Sequence, residues 1–170
     1  MTKFCYRKHA CSGEGASGRD DVQFCVWHPS LWRWRIAGEH VSLKTIIVRI
    51  YFWVLSRGRF AIAYASTPEG CIVHTSYIVG SRFKFPFMGP HDYEIGPCFT
   101  DKRFRGRGIY PSVLRHIIQN KSMSGEWYWM NVDENNISSI RGIEKAGFER
   151  VGESTKSRWL KIYKITRQEI

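Results

Sequence analysis

The sequence predicts an α/β fold: a mixed sheet with helices on both of its faces. Three features point there. Strand-like runs outnumber helical ones, a glycine-containing turn links a strand to an amphipathic helix in the second half, and the last helical stripe feeds two strand-like runs that read as a hairpin. A chain of 170 residues is expected to be one domain, 1–170. At that size folding buries roughly 68–70% of the unfolded surface.

Taken in order, residues 3–9 are a short first segment, and 12–21 (SGEGASGRDD) read as a flexible loop of small and polar residues. An aromatic-rich stretch starts at Val22, and Trp27, Trp32, Trp34 and Trp53 argue that this half contributes to the core. Over 41–55, Val41, Ile46, Ile47, Ile50, Tyr51 and Val54 recur at helical spacing, which predicts a helix with these residues inward and Lys44 and Arg49 outward. Arg57-Gly58 ends it. Residues 59–66 and 71–79 are strand-like and joined by the turn-forming Thr67-Pro68-Glu69-Gly70. Residues 81–90 read as a loop and 91–99 as a strand.

The second half is more regular. Ile109, Tyr110, Val113, Leu114, Ile117 and Ile118 form one helical stripe, with Pro111 in the first turn, where its missing N–H costs nothing, and Asn120 near the end. Residues 126–132 are an aromatic strand. Asn136 suits the N-cap of a helix whose stripe is Ile137, Ile140 and Ile143, and Gly147 suits its left-handed C-terminal position. Residues 148–152 and 158–165 are the final strands.

With 43% hydrophobic residues the chain is not a disordered one, and 15 Gly and 6 Pro exclude a collagen-like or low-complexity one. Lys and Arg number 26 against 15 Asp and Glu, a formal charge of +11. Such a surface attracts polyanions: nucleic acid, acidic lipid head groups, CoA or nucleotide-linked substrates. The most apolar stretch, 45–56, is interrupted by Arg49 and shorter than the ~20 residues of a membrane span. No signal-peptide pattern follows the basic start, so a cytoplasmic protein with reduced thiols is expected. Cys5, His9, Cys11, Cys25 and His28 carry zinc-ligand chemistry, but their spacing matches no common finger, and no metal is expected.

One loop carries legible chemistry. Gly106 and Gly108 allow a tight turn and close backbone approach to a ligand, and the helix that follows offers unpaired N–H groups and a positive dipole end. With Lys102, Arg103, Arg105 and Arg107 around it, this is a pyrophosphate site. The alternative is a basic solvated turn whose glycines serve geometry alone.

Arg103-x-x-Gly106-x-Gly108 resembles the acetyl-CoA signature of the GNAT superfamily of N-acetyltransferases. Asn136-x-x-Ser139-x-x-x-Ile143-x-Lys145-x-Gly147-Phe148 is similar to that superfamily's second block, in the right order and at the right separation. The resemblance is strong over 92–165 and weak before it. It implies a GNAT fold with acetyl-CoA as co-substrate and Cys98, Thr100, Arg103, Arg105, Gly106, Arg107, Gly108, Ile109, Tyr110, Asn136 and Ser139 as its contacts. It also implies that strands 92–100 and 126–132 splay apart around the pantetheine arm, with the backbone of 96–98 beside the thioester.

Acyl transfer to an amine needs a neutral nucleophile, so a base or a water relay must take a proton from an ammonium. The resemblance places a carboxylate on the strand before the glycine loop. Asp92 and Glu94 lie there, two apart and so on one face, and Glu94 is the favoured base. His74 and His91 are further candidates. Where many relatives carry the tyrosine that protonates the leaving thiolate, this chain has Ile143. Tyr110, Ser139 or water replaces it, and transfer without a strong protein acid is the expectation, since a thiol of pKa ~8.5 leaves readily.

The resemblance assigns the acceptor pocket to the earlier segments. Trp32, Arg33, Trp34, Arg35, Tyr77, Arg82, Phe83, Lys84, Phe85 and Phe87 suit an anionic acceptor such as a nucleotide-linked amino sugar. The runs at 94–100 and 108–111 look like GNAT members associated with bacterial surface-polysaccharide synthesis. The expected partners are an acyl-CoA and a primary amine, with a homodimer allowed and neither a membrane span nor nucleic acid expected. Two rival readings are a basic nucleic-acid-binding module and a degenerate GNAT domain that binds acyl-CoA as a sensor.

Overall fold

The computed structural model describes residues 2–9, 22–37, 39, 41–80, 85–120, 127–156 and 163–168. The elements run β1 (Thr2–His9), β2 (Gln23–Trp27), α1 (Leu43–Leu55), β3 (Phe60–Ser66), β4 (Ile72–Gly80), β5 (Tyr93–Thr100), α2 (Ile109–Gln119), β6 (Trp127–Asp133), α3 (Ile137–Lys145), β7 (Glu149–Lys156) and β8 (Tyr163–Gln168). The strands form one eight-stranded mixed sheet in the order β2-β3-β4-β5-β6-β1-β7-β8. β5 and β6 pair in parallel, and the other neighbours pair antiparallel. The sheet has α2 and α3 on one face and α1 on the other, as the sequence predicts.

β3 shows how the sequence sorts the faces. Ala61, Ala63 and Ala65 point to the α2 side, where small side chains let the helix approach, and Phe60, Ile62 and Tyr64 point to the α1 side. The main core lies between the alanine face and the stripe Ile109, Val113, Leu114, Ile117 of α2, continued by Ile143 of α3. α3 is terminated at both ends by its own residues. Asn136 Oδ1 accepts from Ser139 N at its start, and at its end Gly147 (φ +82°) allows the paired bonds Gly147 N to Glu144 O and Phe148 N to Ile143 O.

The structure reverses the expected faces of α1. Arg49, predicted outward, is 1% exposed, and Ile47, Ile50, Tyr51 and Val54, predicted inward, face outward. Periodicity finds an apolar stripe but not the partners that draw a cation inside. The Arg49 guanidinium donates to both carboxylate oxygens of Glu39 (2.9 and 2.6 Å) and to the Trp34 carbonyl (2.9 Å), and it lies 5.7 Å from the Trp27 ring. A buried charge so fully paired is tolerated. Phe52 and Trp53, three and four residues on, complete the inward face against Phe60 and Trp34.

Three other expectations shift. The first segment is a full strand inside the sheet, between β6 and β7. β7 continues to Lys156, and β8 begins at Tyr163, with 158–162 outside the described residues, as are Glu126 and the 12–21 segment. Cys5 and His9 on β1 are five strand spacings away from Cys25 on β2 in the sheet order, a separation of roughly 24 Å that no shared metal can bridge. Cys11 lies outside the described residues.

Candidate active site

β5 and β6 pair at only two positions, Tyr93 with Tyr128 and Glu94 with Trp129. Past them β5 runs on to Thr100 and β6 to Asp133 without bonding each other, so the sheet opens. On the α2–α3 face a cavity of about 720 Å³ lies beside this gap. Cys98, Phe99 and Thr100 of β5 form one wall, and Ser138, Ser139, Arg141, Gly142 and Lys145 of α3 the opposite one, with Asn136 at its start. Arg105, Gly106, Gly108, Ile109 and Tyr110 close the end, together with Phe104 and Pro111.

The closed end presents backbone N–H groups and an arginine, the donors an anion needs. Gly106 and Gly108 both have φ of +77°, a region open to glycine at little cost. Gly108 is the N-cap of α2 and supplies no side-chain cap, so the first-turn N–H groups of the helix have no acceptor from it. A Cβ added at Gly106 would meet nothing within 4 Å, so that backbone faces open space. Arg105 is held by its Nε bond to the Thr100 carbonyl (3.0 Å).

Most of the residues expected at the cofactor meet here: Cys98, Thr100, Arg105, Gly106, Gly108, Ile109, Tyr110, Asn136 and Ser139 all line the cavity. Arg103 and Arg107 do not. Arg103 is paired with Asp101 (3.0 Å), whose carboxyl is pulled down to about 2 by that bond, and the Arg107 guanidinium lies 5.1 Å from the Phe104 ring. In their place α3 contributes Arg141 and Lys145. Ser138, Arg141, Gly142 and Lys145 fall at i, i+3, i+4 and i+7, one helix face opposite Ile140 and Ile143. That spacing was the available signal.

Behind the Cys98 wall lies a buried polar string. The two ring nitrogens of His74 bond Thr100 Oγ1 and Ser76 Oγ, each at 2.7 Å. Ser76 and the Tyr110 hydroxyl reach the Cys98 thiol. Burial pushes that thiol up to about 11, so it stays protonated near neutrality. Burial, and next the Cys98 neighbour, raise the Tyr110 phenol well above its ordinary value. The Tyr110 ring crosses α3 at Gly142, where a Cβ would come within 2.5 Å of its Cδ1. A glycine inside a helix costs about 1 kcal/mol against alanine. Here it makes the room that the ring occupies. Ile143, in the place of the absent tyrosine, is 1% exposed and packs into the core.

Burial depresses His74 from 6.5 to about 4. Between these values the unfolded chain binds a proton that the folded site refuses, so this stability is complete above the unfolded value and lost as pH falls. Acidification over that window should cost wild type roughly 3 kcal/mol more than His74→Gln, read from urea unfolding at each pH.

The two carboxylates differ. Tyr93 and Ile95 face the α2 core, so Asp92 and Glu94 point to the opposite side of β5. Asp92 Oδ2 accepts from Trp129 Nε1 (2.7 Å) and from Gly89 N (2.8 Å), which ties it to the support of β6 and the preceding turn. Glu94 is buried at the last paired position before the gap. His91 is exposed, and its carbonyl accepts from Arg59.

The residues expected to form an acceptor pocket are divided. Trp34 and Tyr77 pack beside α1, against Trp53 and Phe52, whereas Phe87 meets Trp129 and Phe85 stacks on Tyr163 of β8. Trp32, Arg33 and Arg35 are exposed. Arg82, Phe83 and Lys84 lie outside the described residues.

No family model matches the sequence, and no curated protein matches it. Solved structures do match the fold. AAC(6')-Ib in complex with paromomycin and acetyl-CoA superposes with a TM-score of 0.56 at 17% identity, over 82% of this chain and 88% of that one. The same protein with ribostamycin and coenzyme A gives 0.53 at 19% identity, over 69% and 68%. A GNAT-family acetyltransferase from Colwellia psychrerythraea gives 0.55 at 13% identity, over 89% of this chain and 53% of that one. The chain therefore has the GNAT fold, as its two motif blocks imply.

Proposed function

We propose that the protein is an N-acyltransferase that moves an acetyl group from acetyl-CoA to a primary amine. The observation that carries this reading is the cavity beside the β5–β6 gap. It combines glycine-loop amides, a helix N-terminus and the cations Arg105, Arg141 and Lys145, in a fold whose solved examples include acetyl-CoA and coenzyme A complexes. The pyrophosphate would lie on the backbone of 106–110, with the pantetheine arm between Cys98–Thr100 and α3 and the thioester at the gap. Asn136 caps α3 and lines the cavity at once, so its structural and binding roles are compatible.

In this reading the amine reaches the thioester through the gap, with Glu94 as the base that takes its proton directly or through water. The nitrogen attacks the carbonyl carbon, and the C–S bond then breaks, leaving an amide and the CoA thiolate. Cys98 is held as a thiol, which favours this direct transfer over an acyl-cysteine intermediate. The acceptor is a primary amine. A nucleotide-linked amino sugar is the finer expectation, drawn from the basic character of the chain.

The test is thiol release from acetyl-CoA with a panel of amines, including aminoglycosides and nucleotide-linked amino sugars, beside thermal shifts with CoA and RNA. CoA should raise the melting temperature by mass action, whereas a response to RNA alone would overturn the assignment. The pH profile should rise as the amine or its base deprotonates and show no basic limb. Tyr110 is raised too far to titrate in the working range, so Tyr110→Phe should slow transfer less than about ten-fold. A wild-type basic limb that disappears in Tyr110→Phe would instead make this phenol the thiolate's acid.

A further inference from the structure

The aliphatic face that α1 turns outward is not required by the acyltransfer reading. Leu43, Ile47 and Val54 are 71%, 58% and 60% exposed, with Ile50 and Tyr51 beside them. Their spacing makes one strip along the 13-residue helix, on the side opposite Arg49 and Trp53. Next to α1, a tight turn closed by Ser30 and Arg33 is held by Trp34, whose ring meets Trp53 at 5.7 Å and whose Nε1 donates to the Leu31 carbonyl. At the tip of this turn Trp32 is 94% exposed and Leu31 68%. Isolated apolar residues on a surface are ordinary, but a contiguous strip of this kind marks an interaction site.

The surrounding charge identifies the occupant. Between residues 22 and 68 the only carboxylate is Glu39, and it is engaged by Arg49 at 2.6 Å. Lys44 within α1 and Arg57 just past its end are exposed, as are Arg33 and Arg35 on the neighbouring segment. We infer that α1 docks by this strip in the plane of a phospholipid bilayer that carries anionic headgroups. The aliphatic strip enters the headgroup–acyl boundary, and the cations pair with the lipid phosphates. No described helix is long and apolar enough to cross a membrane, so the contact is peripheral. A second copy related by a two-fold axis would set these cations against their own copies. A nucleic acid would satisfy the cations but leave the strip in water.

The test is co-sedimentation of the full chain with phosphatidylcholine vesicles, with and without about 30% phosphatidylglycerol, at low salt. The protein should partition onto the anionic vesicles and not onto the neutral ones, and release at about 0.5 M salt. Ile47→Asp/Val54→Asp, which changes only exposed positions, should lower the partition coefficient at least ~10-fold with CoA affinity unchanged. Lys44→Ala and Arg57→Ala should each lower it roughly five-fold, which gives a second reading if the first variant misfolds. Absence of binding to anionic vesicles, or equal binding by Ile47→Asp/Val54→Asp, overturns the inference. So does a concentration-dependent dimer, abolished by that variant, in a protein that ignores vesicles; the strip would then be a contact between copies.

Discussion

Glu94→Gln should lower the rate of acyl transfer by ~10²–10⁴ while CoA affinity stays within about two-fold of wild type, as removal of a general base does. The reasoning is positional. Glu94 is buried at the last residue pair that β5 shares with β6, where the sheet begins to open, and alternation turns it to the face opposite the cavity. An amine that approaches from that face meets the carboxylate before the thioester. Asp92 shares the face, but its Oδ2 already takes two hydrogen bonds, one from an indole and one from a backbone amide. Asp92→Asn should therefore cost about 1–3 kcal/mol of stability and slow transfer much less. Initial rates and melting curves on both variants separate the roles. A rate loss shared equally, or one confined to Asp92→Asn, would remove Glu94 from the base position. Small losses in both would leave water or an already neutral amine as the better account.

What the sequence revealed of this molecule follows the range of the forces involved. The glycine loop, the stripe of α2 and both ends of α3 are set by neighbours in the chain, and each lies where its local signals put it. α1 is the counterexample. Its stripe is present, but its orientation is decided by Glu39, Trp34, Trp27 and Tyr77, which lie outside the helix and surround Arg49. A hydrophobic pattern cannot show that a cation with four such partners is better buried than exposed. The same limit hid the place of β1, since strand order is a non-local choice.

Within the site, the basic loop was legible as a group but not residue by residue. Arg103 and Arg107 are diverted by Asp101 and Phe104, two and three positions earlier. Both partners are visible in the sequence and could have separated these arginines from Arg105. The acceptor side rests on the resemblance and on aromatic–basic composition, and Tyr77 falls in one cluster while Phe85 and Phe87 fall in another. Composition sets no positions.

Gly106→Val should reduce CoA affinity by ~10²–10⁴, because it removes close backbone approach to the pyrophosphate, where each charge-assisted N–H bond contributes about 1.5–3 kcal/mol. The added side chain meets no protein atom within 4 Å, so it projects into the space the phosphates would occupy rather than into the core. The substitution also strains the backbone, since φ is +77° and a branched residue there costs at least about 1–2 kcal/mol. That strain could lower affinity by itself, and Gly70 supplies the control. It has φ of +85°, also has nothing within 4 Å, and sits in the β3–β4 turn, outside the cavity lining. Gly70→Val should show a comparable stability loss and wild-type CoA binding by calorimetry. If both valines weaken CoA equally, the loss reflects strain and the loop is an ordinary basic turn. If Gly106→Val alone loses binding while its melting temperature matches that of Gly70→Val, the backbone at Gly106 is where the pyrophosphate rests.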